Sequence, residues 1–127
     1  MISGKHIKGF TLIELMIVMA IVALLLTIAL PRYFDGLQRA KEASLRQDLS
    51  ILRDNLDKYY SDKGVHAMAL EDLVNARYLR SIPVDPISEL PDTWILAFST
   101  DPQVPGIVDV HSGTEGNGMD GTPYANW

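Results

Sequence analysis

The chain has 127 residues, a formal net charge of −5 and no cysteine. A chain of this length forms one small domain, and without cysteine that domain cannot be braced by disulfide bonds. The seven Asp, Glu, Lys and Arg side chains between positions 81 and 127 are all acidic. This excludes nucleic-acid binding by that part of the chain, because such binding needs a basic surface.

A long apolar segment follows the first nine residues. Residues 10–30 contain a single charged side chain, Glu14, and about 20 apolar residues in a helix cross a hydrocarbon core about 30 Å thick. Lys5 and Lys8 precede the segment, and positive residues beside a first span stay in the cytoplasm, so the chain after Pro31 is predicted to face outward. The segment is too long for the core of an ordinary secretory signal. The alternative to a processed segment is an uncleaved signal anchor.

The junction at the start of this segment has a distinctive sequence. Residues 8–14 read KGFTLIE, which resembles the prepilin motif of type IV pilins and type II secretion pseudopilins. The resemblance implies that a membrane prepilin peptidase cuts between Gly9 and Phe10 on the cytoplasmic side. Residues 1–9 would then be a removable leader, and the new amino group on Phe10 would be methylated.

Glu14 is unusual because it is a carboxylate within a membrane span. Such a group costs about 2.5–3.5 kcal/mol at the centre of a span and is usually retained for function. Cleavage before Phe10 creates an ammonium group four residues away, and this group can pair with Glu14 of the same chain or of a neighbour. Burying an unpaired charge in a filament would be heavily penalised, so the pairing is predicted to set the register between subunits. The alternative is a glutamate that is merely favourable near a helix N-terminus.

The helical pattern continues beyond the apolar segment. Pro31 removes one helical hydrogen bond and is predicted to kink the helix. Apolar side chains then recur at steps of 4, 3, 4 and 3 residues, which is one face of an amphipathic helix. This stripe comprises Leu45, Leu49, Leu52, Leu56 and Tyr59. With Gly64 as the stop, one helix is predicted from about residue 10 to about residue 62.

Shorter elements are predicted after this helix. A second helix is expected over about Leu70–Arg77, and strands are expected over Thr93–Phe98 and Ile107–Val110. Proline and glycine separate the two strands, which favours a small antiparallel sheet. The predicted fold is therefore α+β and pilin-like, with a transmembrane and polymerisation helix over residues 10–30 and a head over residues 31–127 that includes the second half of the long helix.

Three segments of the head resemble the G-type major pseudopilin of type II secretion systems. They are Leu70–Val74, Tyr78–Pro86 and the ending from Asp109 to Trp127. The resemblance implies a structural subunit of a periplasmic pseudopilus that drives protein export across the outer membrane. The subunit would be stored as a single-pass protein of the bacterial inner membrane with its head in the periplasm.

That resemblance also implies partners. These are further copies of the chain in a helical filament, minor pseudopilins, the prepilin peptidase, the inner-membrane assembly platform with its cytoplasmic ATPase, and indirectly the outer-membrane secretin. A type IV pilus, used for adhesion, motility or DNA uptake, is the alternative machine.

The glycine-rich ending is a candidate calcium loop. Calcium prefers six to eight oxygen ligands, and G-type pseudopilins bind calcium in the corresponding loop. The candidate ligands are Ser112, Glu115, Asn117 and Asp120, with Asp109 in reserve. The loop is several residues shorter than in that family and lacks its adjacent acidic pair, so a glycine-rich turn without metal is the alternative.

An enzymatic function is not expected. The chain has no cysteine nucleophile, no histidine-rich metal motif and no glycine loop of the phosphate-binding kind. A membrane-anchored sensor or binding module is compatible with one span and a small head, but it leaves the KGFTLIE junction unexplained.

Overall fold

The computed structural model describes residues 9–127. The leader was predicted over residues 1–9, and all of it except Gly9, including Lys5 and Lys8, lies outside the described residues. The described elements run in the order α1, α2, β1, β2 and a short 3₁₀ turn, η1. Their bounds are Leu12–Lys63, Leu70–Asn75, Trp94–Phe98, Ile107–Ser112 and Tyr124–Asn126. This architecture confirms the predicted α+β class. The described residues divide into two units, 9–37 and 38–127, and we call the second the head unit.

The first unit contains the start of α1. The Glu14 N–H donates to the Thr11 hydroxyl at 3.2 Å, which satisfies one of the N–H groups that a helix leaves free at its first turn. Every side chain from residue 9 to residue 37 is exposed. Among the described helices, α1 is the one long and apolar enough to cross a membrane.

The helix continues through Pro31 without a break, as predicted. One turn earlier the Thr27 hydroxyl donates to the Leu24 carbonyl at 2.6 Å. The expected kink at Pro31 stays a prediction.

Within the head unit, α1 supplies one side of the hydrophobic core. Leu45, Leu49, Leu52 and Leu56 are all buried, as their spacing predicted, and Tyr59 is half-buried at the edge of the core. The helix ends at Lys63, where Gly64 adopts a φ of +71° and its N–H donates to the Tyr60 carbonyl at 2.8 Å. A left-handed glycine in this position is a common helix stop, so the predicted stop is confirmed.

Helix α2 ends at Asn75, two residues before the predicted end at Arg77. Arg77 itself has a φ of 66° and donates its N–H to the Val74 carbonyl at 3.1 Å, and the Tyr78 N–H reaches the Leu73 carbonyl at 2.9 Å. These two bonds form a Schellman motif, which normally has glycine where Arg77 lies. Because an arginine there carries no visible stop signal, the sequence pattern predicted a longer helix.

The two strands pair antiparallel, with Trp94 opposite Ser112 and Phe98 opposite Ile107. The predicted sheet is thus confirmed, although β2 is two residues longer than expected because Ser112 still pairs with β1. Ile107 and Val110 are fully buried in the same cluster as the leucines of α1. The sheet therefore packs on the leucine stripe of α1 and completes the hydrophobic core.

Candidate functional site

The predicted cleavage site lies ahead of α1 in irregular backbone. Among the residues that the structure describes, Gly9 has no neighbour within 4 Å of the point where a Cβ would lie, and the Phe10 side chain is 85% exposed. An unpaired and accessible segment is a suitable substrate for a peptidase. Cleavage between Gly9 and Phe10 and methylation of Phe10 stay predictions.

Glu14 lies in the first turn of α1 and is exposed. Among the described residues its carboxylate has no ion-pair or hydrogen-bond partner; its backbone N–H is held by Thr11. The Thr-x-x-Glu spacing from Thr11 to Glu14 is the sequence signature of a capping box. The predicted cleavage before Phe10 would create an ammonium group four residues before Glu14 in the sequence.

Two of the four side chains predicted to bind calcium, Ser112 and Asp120, belong to separate clusters of hydrogen bonds. The Ser112 hydroxyl is buried and donates to Asp85 at 2.5 Å. Asp120 instead accepts from the Thr122 hydroxyl at 2.6 Å and from Arg46 at 3.1 Å. Ser112 and Asp120 therefore bind different partners and do not share a ligand.

Glu115 and Asn117 are exposed, and Asn117 pairs with Pro123 in an isolated bridge of the backbone. Within residues 9–127, no group of three or more His, Asp or Glu side chains could hold a metal ion. The Arg46 guanidinium already faces the Asp120 carboxylate, and calcium needs six to eight oxygen ligands. As arranged here, the four residues do not fit a calcium ion, and calcium binding stays a prediction.

Asp85 is a buried acid whose role the sequence did not reveal. Its side chain is fully buried and accepts from the N–H groups of Ile87 and Ser88 at 2.8 and 3.3 Å, and from the hydroxyls of Ser112 and Thr114 at 2.5 and 3.0 Å. The Asp-Pro-x-Ser sequence is typical of an Asx turn, which was the available signal. The carboxylate ties the turn after α2 to the end of β2.

Asp48 on α1 is affected by this buried acid. Partial burial raises the pKa of the Asp48 carboxyl above its ordinary value, and the negative charge of Asp85 raises it further. A like charge disfavours ionisation of its neighbour. The negative charges of Asp48 and Asp85 therefore repel each other.

Glu42 is a second buried acid that sequence reasoning missed. It lies three residues before Leu45, on the same face of α1, and is 8% exposed. Its carboxylate accepts from the Tyr124 hydroxyl and from the Met119 N–H, both at 2.9 Å. Burial raises the pKa of Tyr124, and the bond to Glu42 adds to the effect. Extending the leucine stripe by one step would have identified this position.

Arg53 attaches α1 to the sheet. It donates to the Asp109 carboxylate and to the Val110 carbonyl at 2.9 Å each, and to the Trp127 carbonyl at 2.6 Å. Burial alone would raise the pKa of Asp109, but the Val110 N–H and Arg53 outweigh it, and the pKa is lowered. Asp109, the reserve calcium ligand, is thus paired with arginine.

Comparison with known proteins gives one family match. Residues 4–30 match the model described as the prokaryotic N-terminal methylation motif. No solved structure matches the chain.

Several curated proteins are similar to this chain. It is 42% identical over 82 residues to the fimbrial protein EcpC of Eikenella corrodens, an alignment that covers 61% of this chain and 54% of that protein. It is 33% identical over 85 residues to the type IV major pilin protein PilE of Neisseria gonorrhoeae, covering 61% and 51%. The type II secretion system core protein G of Klebsiella pneumoniae is 29% identical over 135 residues, covering 94% of this chain and 89% of that protein.

These alignments differ in extent. The chain spans about half the length of the first two relatives but nearly all of the core protein G. All three are named as proteins of fimbriae, type IV pili or type II secretion systems, which agrees with the expectation that this chain is not an enzyme.

Proposed function

Because the chain belongs to the type IV pilin-like superfamily, we propose that it is a structural subunit of a type II secretion pseudopilus. The observation that carries the proposal is the alignment with a core protein G over 94% of this chain. The pilin alignments each cover about 60% of it. Since both machines use the same kind of N-terminal segment, the head is the part that distinguishes them.

In the proposed mechanism the subunit waits in the inner membrane with its head in the periplasm. The prepilin peptidase removes residues 1–9 and methylates Phe10. An assembly platform and its ATPase then extract the subunit, and the apolar part of α1 moves from lipid into a bundle of identical helices. Glu14 pairs with the ammonium group of Phe10 in this bundle and fixes the axial position of each copy. The growing filament, together with minor pseudopilins, pushes cargo toward the outer-membrane secretin.

The exposed surface of α1 supports this mechanism. Apolar side chains project in every direction along residues 10–30, and the large ones among them are 42–85% exposed. A surface of this size is stable only in lipid or against other helices. A membrane store followed by a helical bundle provides both environments in turn.

Gene deletion tests the proposed machine. Cells without this chain are expected to retain normally exported proteins in the periplasm, and the wild-type gene restores export. Export that continues normally while surface fibres are lost would favour the type IV pilus instead. The observation that supports the type IV pilus is the 42% identity to a fimbrial protein.

Processing is tested separately by mass spectrometry of the purified protein. The mature N-terminus is expected to be Phe10 carrying one methyl group. A Gly9→Leu variant is expected to keep residues 1–9 and remain in the membrane, because the peptidase no longer accepts the junction. A wild-type protein that still carries its first nine residues would contradict both processing and assembly.

A further inference from the structure

We propose that Arg46 of α1 closes the C-terminal loop of the head in place of a metal ion, so that the head is stable without calcium. The loop comprises residues 113–127 and contains three of the four predicted calcium ligands. The proposal stands on the contacts within the head unit and does not rest on the proposed secretion function.

Four side chains form a closed ring of contacts. The Arg46 Nη2 donates to Asp120 Oδ2 at 3.1 Å, and the Arg46 Cζ lies 3.9 Å from the centre of the Trp127 ring. The Trp127 indole N–H donates to the Thr122 hydroxyl at 2.6 Å, and that hydroxyl donates to Asp120 Oδ1 at 2.6 Å. The hydroxyl thus accepts one bond and gives one, as its chemistry allows.

Arginine is suited to this position because its guanidinium is planar. Its edge bonds a carboxylate while its face stacks on an aromatic ring. In this ring Arg46 supplies the positive charge that a cation would otherwise bring to Asp120. A calcium ion approaching the carboxylate would meet the repulsion of Arg46 and would have to displace it.

The Asp120 carboxylate also accepts bonds from the Thr122 hydroxyl and N–H, at 2.6 and 3.0 Å. The turn around it is compact, since the Gly118 N–H donates to the Thr122 carbonyl at 2.8 Å. A side chain at Gly118 would collide with the Trp127 ring, so the backbone itself leaves little room beside Asp120.

A second side chain of α1 holds the same loop. Glu42, four residues before Arg46, accepts from the Met119 N–H at 2.9 Å and from the Tyr124 hydroxyl at 2.9 Å. Residues four apart lie on the same face of a helix. Helix α1 therefore binds two adjacent loop residues. Glu42 bonds Met119, and Arg46 bonds Asp120.

A melting experiment with the full-length protein in detergent tests the absence of a calcium requirement. The melting temperature is expected to be the same in EGTA, in calcium chloride and in magnesium chloride. A melting temperature that falls in EGTA and recovers with calcium but not with magnesium would overturn the proposal. The glycine-rich loop would then be a calcium site despite the geometry seen here.

Variants test the role of Arg46 directly. Arg46→Ala is expected to lower the melting temperature by about 4 °C, the shift that a small loss of free energy of unfolding causes in a domain of this size. It should also speed thermolysin cleavage within residues 113–127 several-fold. Arg46→Lys keeps the charge but loses the planar group, so an intermediate effect is expected. Arg39→Ala is the matched control, because Arg39 is an exposed arginine on the same helix.

A double variant distinguishes the ring from a general effect of charge. Because Arg46 and Asp120 act on each other, the loss in Arg46→Ala combined with Asp120→Asn should be smaller than the sum of the two single losses. Additive losses, or an Arg46→Ala protein that melts and is cleaved like Arg39→Ala, would overturn the proposal.

Discussion

Asp85 is a fully buried carboxylate whose four bonds all come from uncharged donors, two N–H groups and two hydroxyls. Asp85→Asn replaces one carboxylate oxygen by an NH₂ group, so at least one buried donor loses its acceptor. We expect a loss of about 1–3 kcal/mol in the free energy of unfolding, the usual cost of an unsatisfied buried polar group. Urea unfolding of the full chain measures it.

The control for this prediction is Asp92→Asn, in an exposed acid of the following loop. A surface change of this kind is expected to alter stability by no more than about 0.5 kcal/mol. If both variants unfold at the same urea concentration, the bonds of Asp85 contribute nothing specific to the fold.

Asp48 gives a prediction about pH. Its pKa is raised in the folded protein by burial and by Asp85, so ionised Asp48 destabilises the fold. The penalty is absent below the unfolded pKa, near 3.8, and develops as the pH rises through the higher folded value. Asp48→Asn is therefore expected to raise the melting temperature at pH 7, and the gain should vanish as the pH falls toward 3.8.

Melting curves at several pH values check this behaviour, with Asp57→Asn as the control because Asp57 is an exposed acid of the same helix. The control is expected to melt close to the wild type. A gain for Asp48→Asn that is equally large at low pH would show that its origin is not the ionised carboxylate.

At the scale of elements, the end of α2 stores backbone strain. Arg77 adopts a φ of 66°, and a left-handed conformation costs a residue with a side chain about 1–2 kcal/mol. Arg77→Gly removes this cost but adds unfolded-state entropy worth about 0.5–1 kcal/mol. A net gain of about 0.5–1 kcal/mol is expected from these two terms.

Thermal or urea unfolding measures the gain, and Arg77→Ala is the matched control. Alanine loses the same charge but keeps the strained conformation, so it should not stabilise the protein. Equal stability of the glycine and alanine variants would mean that the charge of Arg77, and not its backbone, determines the effect.

The elements themselves were largely predictable because their signals are local. The leucine stripe, Gly64 and the proline-separated β-rich runs placed α1, β1 and β2 to within about two residues. The end of α2 was missed because Arg77 occupies a position that usually belongs to glycine. The two backbone bonds that end the helix there, from Arg77 to Val74 and from Tyr78 to Leu73, have no residue-type signature in this sequence.

The features of the candidate site also differ in how far the local sequence could predict them. The junction at Gly9 and Phe10, with Glu14, was visible because motif and apolar run lie next to each other in the chain. The bonds from Arg46 to Asp120 and from Met119 to Glu42 join residues 74 and 77 positions apart. No local pattern encodes such pairs, so composition and the family resemblance predicted a candidate calcium loop, with a metal-free turn as the alternative, and did not reveal these bonds.

At the scale of the whole molecule, the residues proposed to act in assembly lie at the start of α1, and the polar contacts that stabilise the fold lie in the head unit. The polar contacts described for Glu42, Arg46, Arg53 and Asp85 all join residues of the head unit. Within residues 9–127, the Glu14 carboxylate has no contact of this kind. A change at Glu14 is therefore expected to alter assembly and to leave the head unchanged.

This separation defines the last prediction, which rests on the proposed function. In Glu14→Ala the ammonium group of Phe10 enters the filament unpaired, and removing one partner of a buried pair costs about 3–5 kcal/mol. Since about 1.4 kcal/mol weakens association tenfold, filaments sheared from cells should be reduced by far more than tenfold. Glu14→Asp, which keeps the charge, should retain part of the assembly.

Mass spectrometry should still find Phe10 at the N-terminus of Glu14→Ala, and the head should melt at the wild-type temperature. If the Glu14→Ala protein is processed, folded and assembled as abundantly as the wild type, Glu14 has no part in register, and packing of the apolar helices alone must set the position of each subunit.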